Sequence, residues 1–385
     1  MTNDELRPFD AIRPFEPEEL PAVFERLLAD RQFLQVLNYL YPGVPVEAIA
    51  AKMRGCKSCL DFQKAFCYDF LKKLMAGVSH GFDMDCSALD TSRRYTFVSN
   101  HRDIVLDSAL LDVLLIDNGF NTTCEIAIGD NLLSLPWVKD LVRVNKSFIV
   151  ERSLPPRQML VASKRLSEYM HYVVAKKNDN LWIAQREGRA KDSNDRTQPA
   201  ILKMMAMGGE GTAAERLGQL HIVPLAISYE QDPCDFLKAR EMQLRRDIPG
   251  WKKSPTDDIV SMKTGIMGEK GQVHYHCAPC IDEWLQSLPA DTPKGAFFDL
   301  VAARIDEQIH SNYRLFPFNY VALDMLNSQH AFANKYTDDD KQRFTDYVAR
   351  QLAKIDDVEN KDDDFLTECI LTMYANPVVN QMTAL

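Results

Sequence analysis

The chain is predicted to form an α/β fold between about residues 95 and 280, with helical additions before and after it. Short apolar runs recur through this part of the sequence, and amphipathic helical patterns separate them, as in layered α/β proteins. Outside it, apolar residues recur at helical spacing. We therefore divide the chain into a helical region at 1–90, an α/β core at 91–285 and a helical region at 286–385.

The N-terminal region contains three predicted helices. Proline and acidic residues suit the first turn of a helix, and Pro17, Glu18 and Glu19 precede apolar residues at helical spacing. A second helix is predicted from Val46 to about Arg54 and a third from Cys59 to Ala76. These segments carry no evident chemistry, so we interpret them as a helical cap over the core.

The core contains six predicted strands. They are Tyr95–Ser99, Thr123–Ile128, Phe148–Val150, Leu181–Ala184, Ile222–Ile227 and Gln272–Cys277. The helices predicted between them are Asp107–Asp117, Pro155–Lys177 and Pro199–Met207. Open α/β sheets collect functional loops at strand ends, and chemistry is expected there. After residue 280 the pattern is helical again, and Thr337 with three following aspartates predicts a helix start.

Composition limits the classes of partner and compartment. The formal net charge is −10, from 45 basic and 55 acidic residues, which disfavours nucleic acid as a partner. No apolar run approaches the roughly 20 residues that span a bilayer. The acidic N-terminus lacks signal-peptide features, and the nine cysteines are interpreted as reduced thiols. A cytoplasmic protein is predicted, with peripheral contact at the inner face of the membrane left open.

The most informative segment runs from Ser99 to Asp107. His101 follows the polar end of a predicted strand, and Asp107 begins an apolar helix. A neutral imidazole can take a proton from an alcohol, while a carboxylate orients it and stabilises the imidazolium. Asp103 is the alternative partner of the imidazole, and Asp107 is favoured because an apolar helix follows it. No serine nucleophile elbow or HExxH motif accompanies this pair, which indicates direct attack by an alcohol on an acyl group.

Cations and a proline follow or occupy the later predicted strands. The strand at Phe148–Val150 leads to Arg152, the strand at Leu181–Ala184 leads to a cationic loop, and the strand at Ile222–Ile227 contains Pro224. The candidate acceptor-binding residues are Arg152, Arg186, Gly188, Arg189 and Lys191. Guanidinium and ammonium groups would hold an anionic group of the acceptor, and glycine lets the backbone approach it. Holding that group away from the reacting hydroxyl would place the hydroxyl near His101.

The segment from Ser99 to Asp107 and the three later strands with their loops form four sequence blocks, numbered in chain order. These four blocks resemble those of the glycerolipid acyltransferases, which acylate glycerol 3-phosphate and lysophosphatidate. Asn100 and His101 match the catalytic first block, and Arg152 is similar to the arginine of the second. The stretch from Trp182 to Lys191 is similar to the third block of the soluble plastid branch, and Pro224 matches the fourth. The resemblance covers about residues 95–280 and implies a mixed central sheet flanked by helices.

The sequence departs from the family pattern in two places. Five residues instead of four separate His101 from Asp107. In the third block, Glu187 stands one position later than the glutamate of the family's Glu-Gly-x-Arg pattern.

The resemblance also implies a reaction and its co-substrates. A His101–Asp107 general base would move an acyl group from an acyl carrier protein or coenzyme A thioester to a small anionic acceptor. No metal or redox cofactor is required. The basic residues Arg240, Arg245, Arg246, Lys252 and Lys253 are candidates for docking an acidic carrier protein, although a solvated helix face is the simpler interpretation.

Two other functions remain open at this point. The acceptor could be an amino-acid-containing lipid, with Arg152 and Arg189 gripping its carboxylate, or the protein could bind lipid without catalysis. Two CxxC pairs, Cys56–Cys59 and Cys277–Cys280, could suggest zinc. They lie too far apart in the sequence for a typical zinc site, so no metal is predicted.

Overall fold

The computed structural model describes residues 3–152, 154–289, 292–328 and 330–385. In these ranges the core is one seven-stranded mixed sheet. The strands are β1 Gly81–Asp85, β2 Thr96–Ser99, β3 Cys124–Gly129, β4 Ser147–Val150, β5 Asn180–Ala184, β6 Ile222–Tyr229 and β7 Gln272–Cys277. Their spatial order is β1-β7-β6-β2-β5-β3-β4. The α/β class, the mixed sheet and the helical additions predicted from the sequence are confirmed.

Five strands run parallel and bring their carboxyl ends to one edge. These strands are β6, β2, β5, β3 and β4, whereas β7 is antiparallel to β6 and carries β1 parallel to itself. The loops after β2, β4 and β5 therefore leave the sheet at the same edge, which we call the carboxyl edge. All three loops carry predicted site residues.

Helices surround the sheet and extend the chain at both ends. They are α1 Asn3–Leu6, α2 Leu20–Ala29, α3 Arg31–Leu40, α4 Val46–Gly55, α5 Cys59–Phe62, α6 Asp69–Val78, α7 Leu106–Asp117, α8 Pro136–Val144, α9 Pro156–Tyr172, α10 Pro199–Met205, α11 Ala213–Gly218, α12 Asp235–Asp247, α13 Pro255–Met267, α14 Asp282–Ser287, α15 Lys294–Ser311, α16 Pro317–Asn327, α17 Asp338–Ala353 and α18 Asp363–Ala384. Segments of π-helix at Gln63–Tyr68 and Val173–Lys177 continue α5 into α6 and extend α9. In the described residues, no helix is both long and apolar enough to cross a bilayer.

The two faces of the sheet have separate apolar cores because side chains alternate along each strand. On β5, Leu181 and Ile183 face a cluster with α9, α10 and α15, while Trp182 faces a cluster with α6 and α7. Two further clusters bury the additions. One joins α2, α3 and α4 to α8, and the other joins α16, α17 and α18 to α12.

The sequence did not predict β1. Gly81–Asp85 lies within the region expected to be wholly helical, yet it pairs with β7 at the edge of the sheet. It contains two aspartates and a glycine, which are depleted in strands, and it is only partly buried. Backbone pairing with β7 therefore stabilises β1, although its residues have little intrinsic preference for a strand.

Asn100 extends the contact between β2 and β6 past the end of β2. Its side chain accepts a hydrogen bond from Ile227 N at 2.8 Å and donates one to Ile227 O at 2.9 Å. The side chain is fully buried, so it replaces a backbone pair that the departing chain would otherwise leave open. This contact fixes where the His101 loop leaves the sheet.

We expect Asn100→Ala to lower the free energy of unfolding by about 2–4 kcal/mol, because both polar groups of Ile227 would stay buried without partners. Urea denaturation measures the change. Asn118→Ala is the control, since Asn118 makes one hydrogen bond at the half-buried end of α7, and it should cost less than about 1 kcal/mol. Equal losses for the two variants would contradict the bridging role of Asn100.

Candidate active site

His101 and Asp107 are in direct contact at the carboxyl edge. His101 Nδ1 lies 2.7 Å from Asp107 Oδ2, in the first turn of α7. The same oxygen accepts hydrogen bonds from the backbone N–H groups of Arg102 at 2.6 Å and Asp103 at 3.0 Å. Because Oδ2 is an acceptor, Nδ1 carries the hydrogen and Nε2 keeps its lone pair. A neutral ring held this way is suited to act as a base.

Asp103 has a different task in the same loop. Its Oδ1 accepts hydrogen bonds from Val105 N and Leu106 N, both at 2.8 Å, and so caps the start of α7. Burial and the nearby charge of Asp107 raise the pKa of Asp103 above its ordinary value. Its Oδ2 packs against the Cα of Gly265 in α13, where a Cβ would overlap it. The structure therefore places Asp107 against the imidazole and turns Asp103 away from it.

The histidine ring rests on the sheet. Trp182 of β5 meets it edge-on, with ring centroids 5.6 Å apart, and Trp182 Nε1 donates to Ser99 Oγ at 3.0 Å. On β7, the Tyr275 hydroxyl donates to the backbone carbonyl of Asp107 at 2.9 Å. These buried groups belong to β2, β5, β7 and α7, so the orientation of the ring depends on the whole centre of the sheet.

Arg189 brings the third block next to the first. Its side chain is buried with Cys234, Asp232 and Asp103 around it. Burial alone would lower the pKa of Arg189, but these neighbours raise it above its ordinary value. Its Nη1 is buried without a hydrogen-bond partner among the described residues. A guanidinium nitrogen with an unused donor thus lies beside the His101 loop among the described residues.

Arg152 and Arg186 border the same edge. Arg152 Nη1 lies 3.7 Å from Glu187 Oε1, which connects the second block to the third. The guanidinium spreads over the end of β3, where a Cβ on Gly129 would lie only 2.8 Å from Arg152 Nε. Arg186 is partly buried, and its Nε has no hydrogen-bond partner in the described part of the chain.

Gly188 and Lys191 stand on the loop that carries Arg189. Gly188 has φ +67°, a left-handed conformation that favours glycine, and it is exposed. Lys191 Nζ pairs with Glu241 of α12 at 2.7 Å. Burial and the charge of Arg189 lower the pKa of Lys191 to about 8. Lys191 is thus already paired, unlike the free cation that the sequence led us to expect.

Arg102 was missed by the sequence analysis, because a cation directly after a histidine has no distinctive pattern. Its buried guanidinium pairs with Asp195 at 2.8 Å and lies over the Tyr313 ring, 5.6 Å from the centroid. Asp195 follows the third block, and Tyr313 follows α15. Arg102 therefore ties the His101 loop to the third-block loop and to the C-terminal helices.

One metal-capable cluster lies elsewhere. In the ranges that the structure describes, ligand atoms of His221, Cys280 and Asp282 come within 4.8 Å of one another. His221 precedes β6, so the cluster is at the opposite edge from His101. Arg93 Nη2 lies 3.7 Å from Asp282 and 3.4 Å from the His221 ring. That cation already pairs with the carboxylate a metal would need.

Comparison with known proteins identifies the chemistry of the core. Residues 85–228 match the family model described as Acyltransferase, a range that includes His101, Arg152, the third block and Pro224. These residues form an acyltransferase domain. The match supports the acyltransferase family predicted from the four blocks.

Among solved structures, the chain is similar to the 1-acyl-sn-glycerophosphate (LPA) acyltransferase PlsC from Thermotoga maritima. The sequences are 14% identical, the TM-score is 0.38, and the match covers 75% of this chain and 94% of the other. The search of curated proteins gives no significant match.

The two aspartates near His101 should differ when their charge is removed. Asp107→Asn keeps an oxygen for the three N–H groups but loses the charge that stabilises an imidazolium. We expect kcat for acyl transfer to fall at least about 100-fold, in line with the usual contribution of acid–base catalysis.

The matched control is Asp103→Asn, which keeps an oxygen to cap α7. It should leave kcat within about threefold, the order expected when the acid–base group is untouched. Steady-state kinetics on both purified variants, with circular dichroism to check folding, makes the comparison. A larger kcat loss for Asp103→Asn would reverse the assignment.

Proposed function

We propose that this enzyme moves a fatty acyl group from an acyl carrier protein or coenzyme A thioester to the hydroxyl of glycerol 3-phosphate or lysophosphatidate. The observation that carries the proposal is the His101–Asp107 pair, in which His101 Nε2 has no hydrogen-bond partner among the described residues, next to the cationic loops that follow β4 and β5. This arrangement offers a base for a hydroxyl and a separate grip for an anionic group.

The reaction is a direct displacement at the thioester carbonyl. His101 Nε2 takes the proton of the acceptor hydroxyl while the hydroxyl oxygen attacks the carbonyl carbon. Asp107 holds the Nδ1–H and stabilises the imidazolium. The carbon–sulfur bond then breaks, and the thiol leaves with the proton that the imidazolium returns. No nucleophilic side chain and no covalent enzyme intermediate take part.

The acceptor anion is assigned to the cations of the second and third blocks. Among the described residues, Arg189 Nη1 and Arg186 Nε are buried donors without a hydrogen-bond partner. Arg152 is the most exposed of the three and lies at the rim beside Glu187. Gly188 leaves the loop surface without a side chain at this point. A phosphate, with several acceptor oxygens, can engage more than one of these groups at once.

The thioester donor is assigned by class only. The cations considered for docking a carrier protein mostly have intramolecular partners: Arg240 with Asp357, Arg245 with Glu241, Arg246 with Asp247 and Asp362, and Lys253 with Asp258. Such pairs leave little net positive field on α12. Both donors therefore belong in the assay.

The decisive experiment incubates the purified protein with both acyl thioesters and a panel of acceptors, followed by mass spectrometry of the products. The panel contains glycerol 3-phosphate, lysophosphatidate and an amino-acid-containing lipid with a free hydroxyl. We expect a phosphate-bearing acceptor to give the most product. His101→Ala should lower kcat by about 100-fold to 10,000-fold, the range for losing an acid–base group. Greatest turnover with the amino-acid lipid, or full activity in His101→Ala, would overturn the proposal.

Lys191 pairs with Glu241 and stands close to Arg189, so its charge should affect acceptor binding through the local electrostatic field rather than by direct contact. The pKa of Lys191 is lowered to about 8, so the ammonium is charged below pH 8 and neutral above it. Because a neutral amine attracts an anion less, we expect the acceptor KM to rise between pH 7 and pH 9 by about three- to tenfold, the effect of roughly 1 kcal/mol between charges near a protein surface.

Lys191→Arg is the control for this pH dependence, since a guanidinium stays charged throughout that range. The variant should show a nearly flat acceptor KM from pH 7 to pH 9, while the thioester KM is the same as in the parent. If the rise in KM persisted in Lys191→Arg, another group would be responsible.

A further inference from the structure

Helix α13 covers the catalytic loop with one face and shows an apolar face to the outside. Its inner face is formed by Ser261 and Gly265, four residues apart and both buried. Cys234 Sγ donates to Ser261 O at 3.3 Å, and Gly265 packs against the Asp103 carboxylate. This face is therefore fixed beside His101 and Arg189.

The outer face follows from the same helical period. Thr256, Ile259, Val260, Lys263 and Met267 are spaced at i, i+3, i+4, i+7 and i+11, and all are exposed. Ile259 is 62% exposed, Val260 43% and Met267 51%. Three large apolar side chains on one outward helix face are unusual for a surface that only meets water.

The outer face also lacks exposed negative charge. The two acidic residues of α13 are turned to the side: Asp257 accepts from Ser254 and lies near Arg240, and Asp258 pairs with Lys253. Lys263 on the outer face and Lys252 just before the helix have no carboxylate partner in the described ranges. Free lysines thus flank the apolar residues in a protein whose net charge is −10.

A second helix repeats this pattern at the carboxyl edge. Helix α9 begins a few residues after Arg152, and its first turns present Arg157, Leu160, Val161 and Lys164 at i, i+3, i+4 and i+7. Leu160 and Val161 are both largely exposed. An exposed aliphatic pair with cations beside it therefore occurs on helices next to the second block and next to the first, and on α9 one of these cations, Lys164, also pairs with Glu168 at 3.7 Å.

We propose that the outer face of α13, together with the first turns of α9, seats the enzyme on a bilayer that contains anionic phospholipid. This inference rests on the proposed function, because the acylated glycerolipid product belongs in a membrane. Apolar side chains would enter the interface, and lysines would meet lipid phosphates, as in interfacial helices. The catalytic edge would then face the membrane.

The composition of the face favours lipid over a carrier protein. A docking site for an acidic carrier would be expected to concentrate free cations, yet the arginines of α12 are paired within the chain. What the outer face of α13 offers instead is chiefly apolar area, with one lysine on it and one at its start. An anionic bilayer matches both features.

Vesicle sedimentation of the full chain tests the proposal. We expect binding to phosphatidylcholine vesicles containing phosphatidylglycerol and much weaker binding to phosphatidylcholine alone. The double variant Ile259→Asp with Val260→Asp should bind at least about tenfold more weakly, because two carboxylates would enter an anionic interface. Lys263→Ala should weaken binding by about fivefold, the value expected for one lysine near anionic lipid.

Leu300→Asp is the matched control. Leu300 is 45% exposed, close to the value for Val260, but it lies on α15, away from α13 and α9 in the chain. It should bind vesicles like the parent protein. Activity with glycerol 3-phosphate and a thioester in vesicle-free buffer should be unchanged in every variant, since none touches the catalytic residues.

Each other outcome overturns the surface assignment. Absence of parental binding to anionic vesicles, full binding by the double variant, or equal loss in Leu300→Asp would each do so. If the double variant kept vesicle binding but lost turnover with acyl carrier protein alone, the face would be a protein-docking site. Sedimentation needs no acyl transfer, so failure of the proposed function would be seen separately in the activity of the parent protein.

Discussion

The site depends on one carboxylate oxygen. Asp107 Oδ2 accepts the His101 ring N–H and two successive backbone N–H groups, so it fixes both the tautomer of the imidazole and the path of the loop that carries it. The carboxylate is fully buried, and hydrogen bonds are electrostatically stronger in the low dielectric of a protein interior than in water. A loop with one residue more than is usual in the family still delivers the acid to the ring because its backbone wraps around this oxygen.

The C-terminal helices are part of the site's support. Asp306 of α15 accepts from Thr197 N at 2.7 Å, and Asn376 of α18 donates to Asp192 O at 2.7 Å. Together with the Arg102–Asp195 pair, these contacts hold the third-block loop on both sides of its cations. The loop is therefore shaped by residues more than 90 positions away in sequence.

Sequence reasoning succeeded where a local pattern has one physical meaning. The strands predicted at Ile222–Ile227 and Gln272–Cys277 are present, the first extended to Tyr229, because short runs rich in β-branched and aromatic residues favour strands. The His101 and Asp107 contact was predictable because a helix start fixes the acid near the preceding strand end. Strand β1 was not, since its stability comes from pairing with β7. Nor could the sequence show that Lys191 meets Glu241, because an ion pair between distant segments leaves no local trace.

The close packing of Asp103 on Gly265 makes two distant positions interdependent. Any side chain at 265 would collide with the carboxylate that caps α7, so a homologue can enlarge position 265 only by shortening position 103. Serine is shorter than aspartate and still caps a helix well. Related sequences should therefore covary at these two sites, exchanging an aspartate–glycine combination for a serine–alanine one, while aspartate at 103 together with alanine at 265 is selected against.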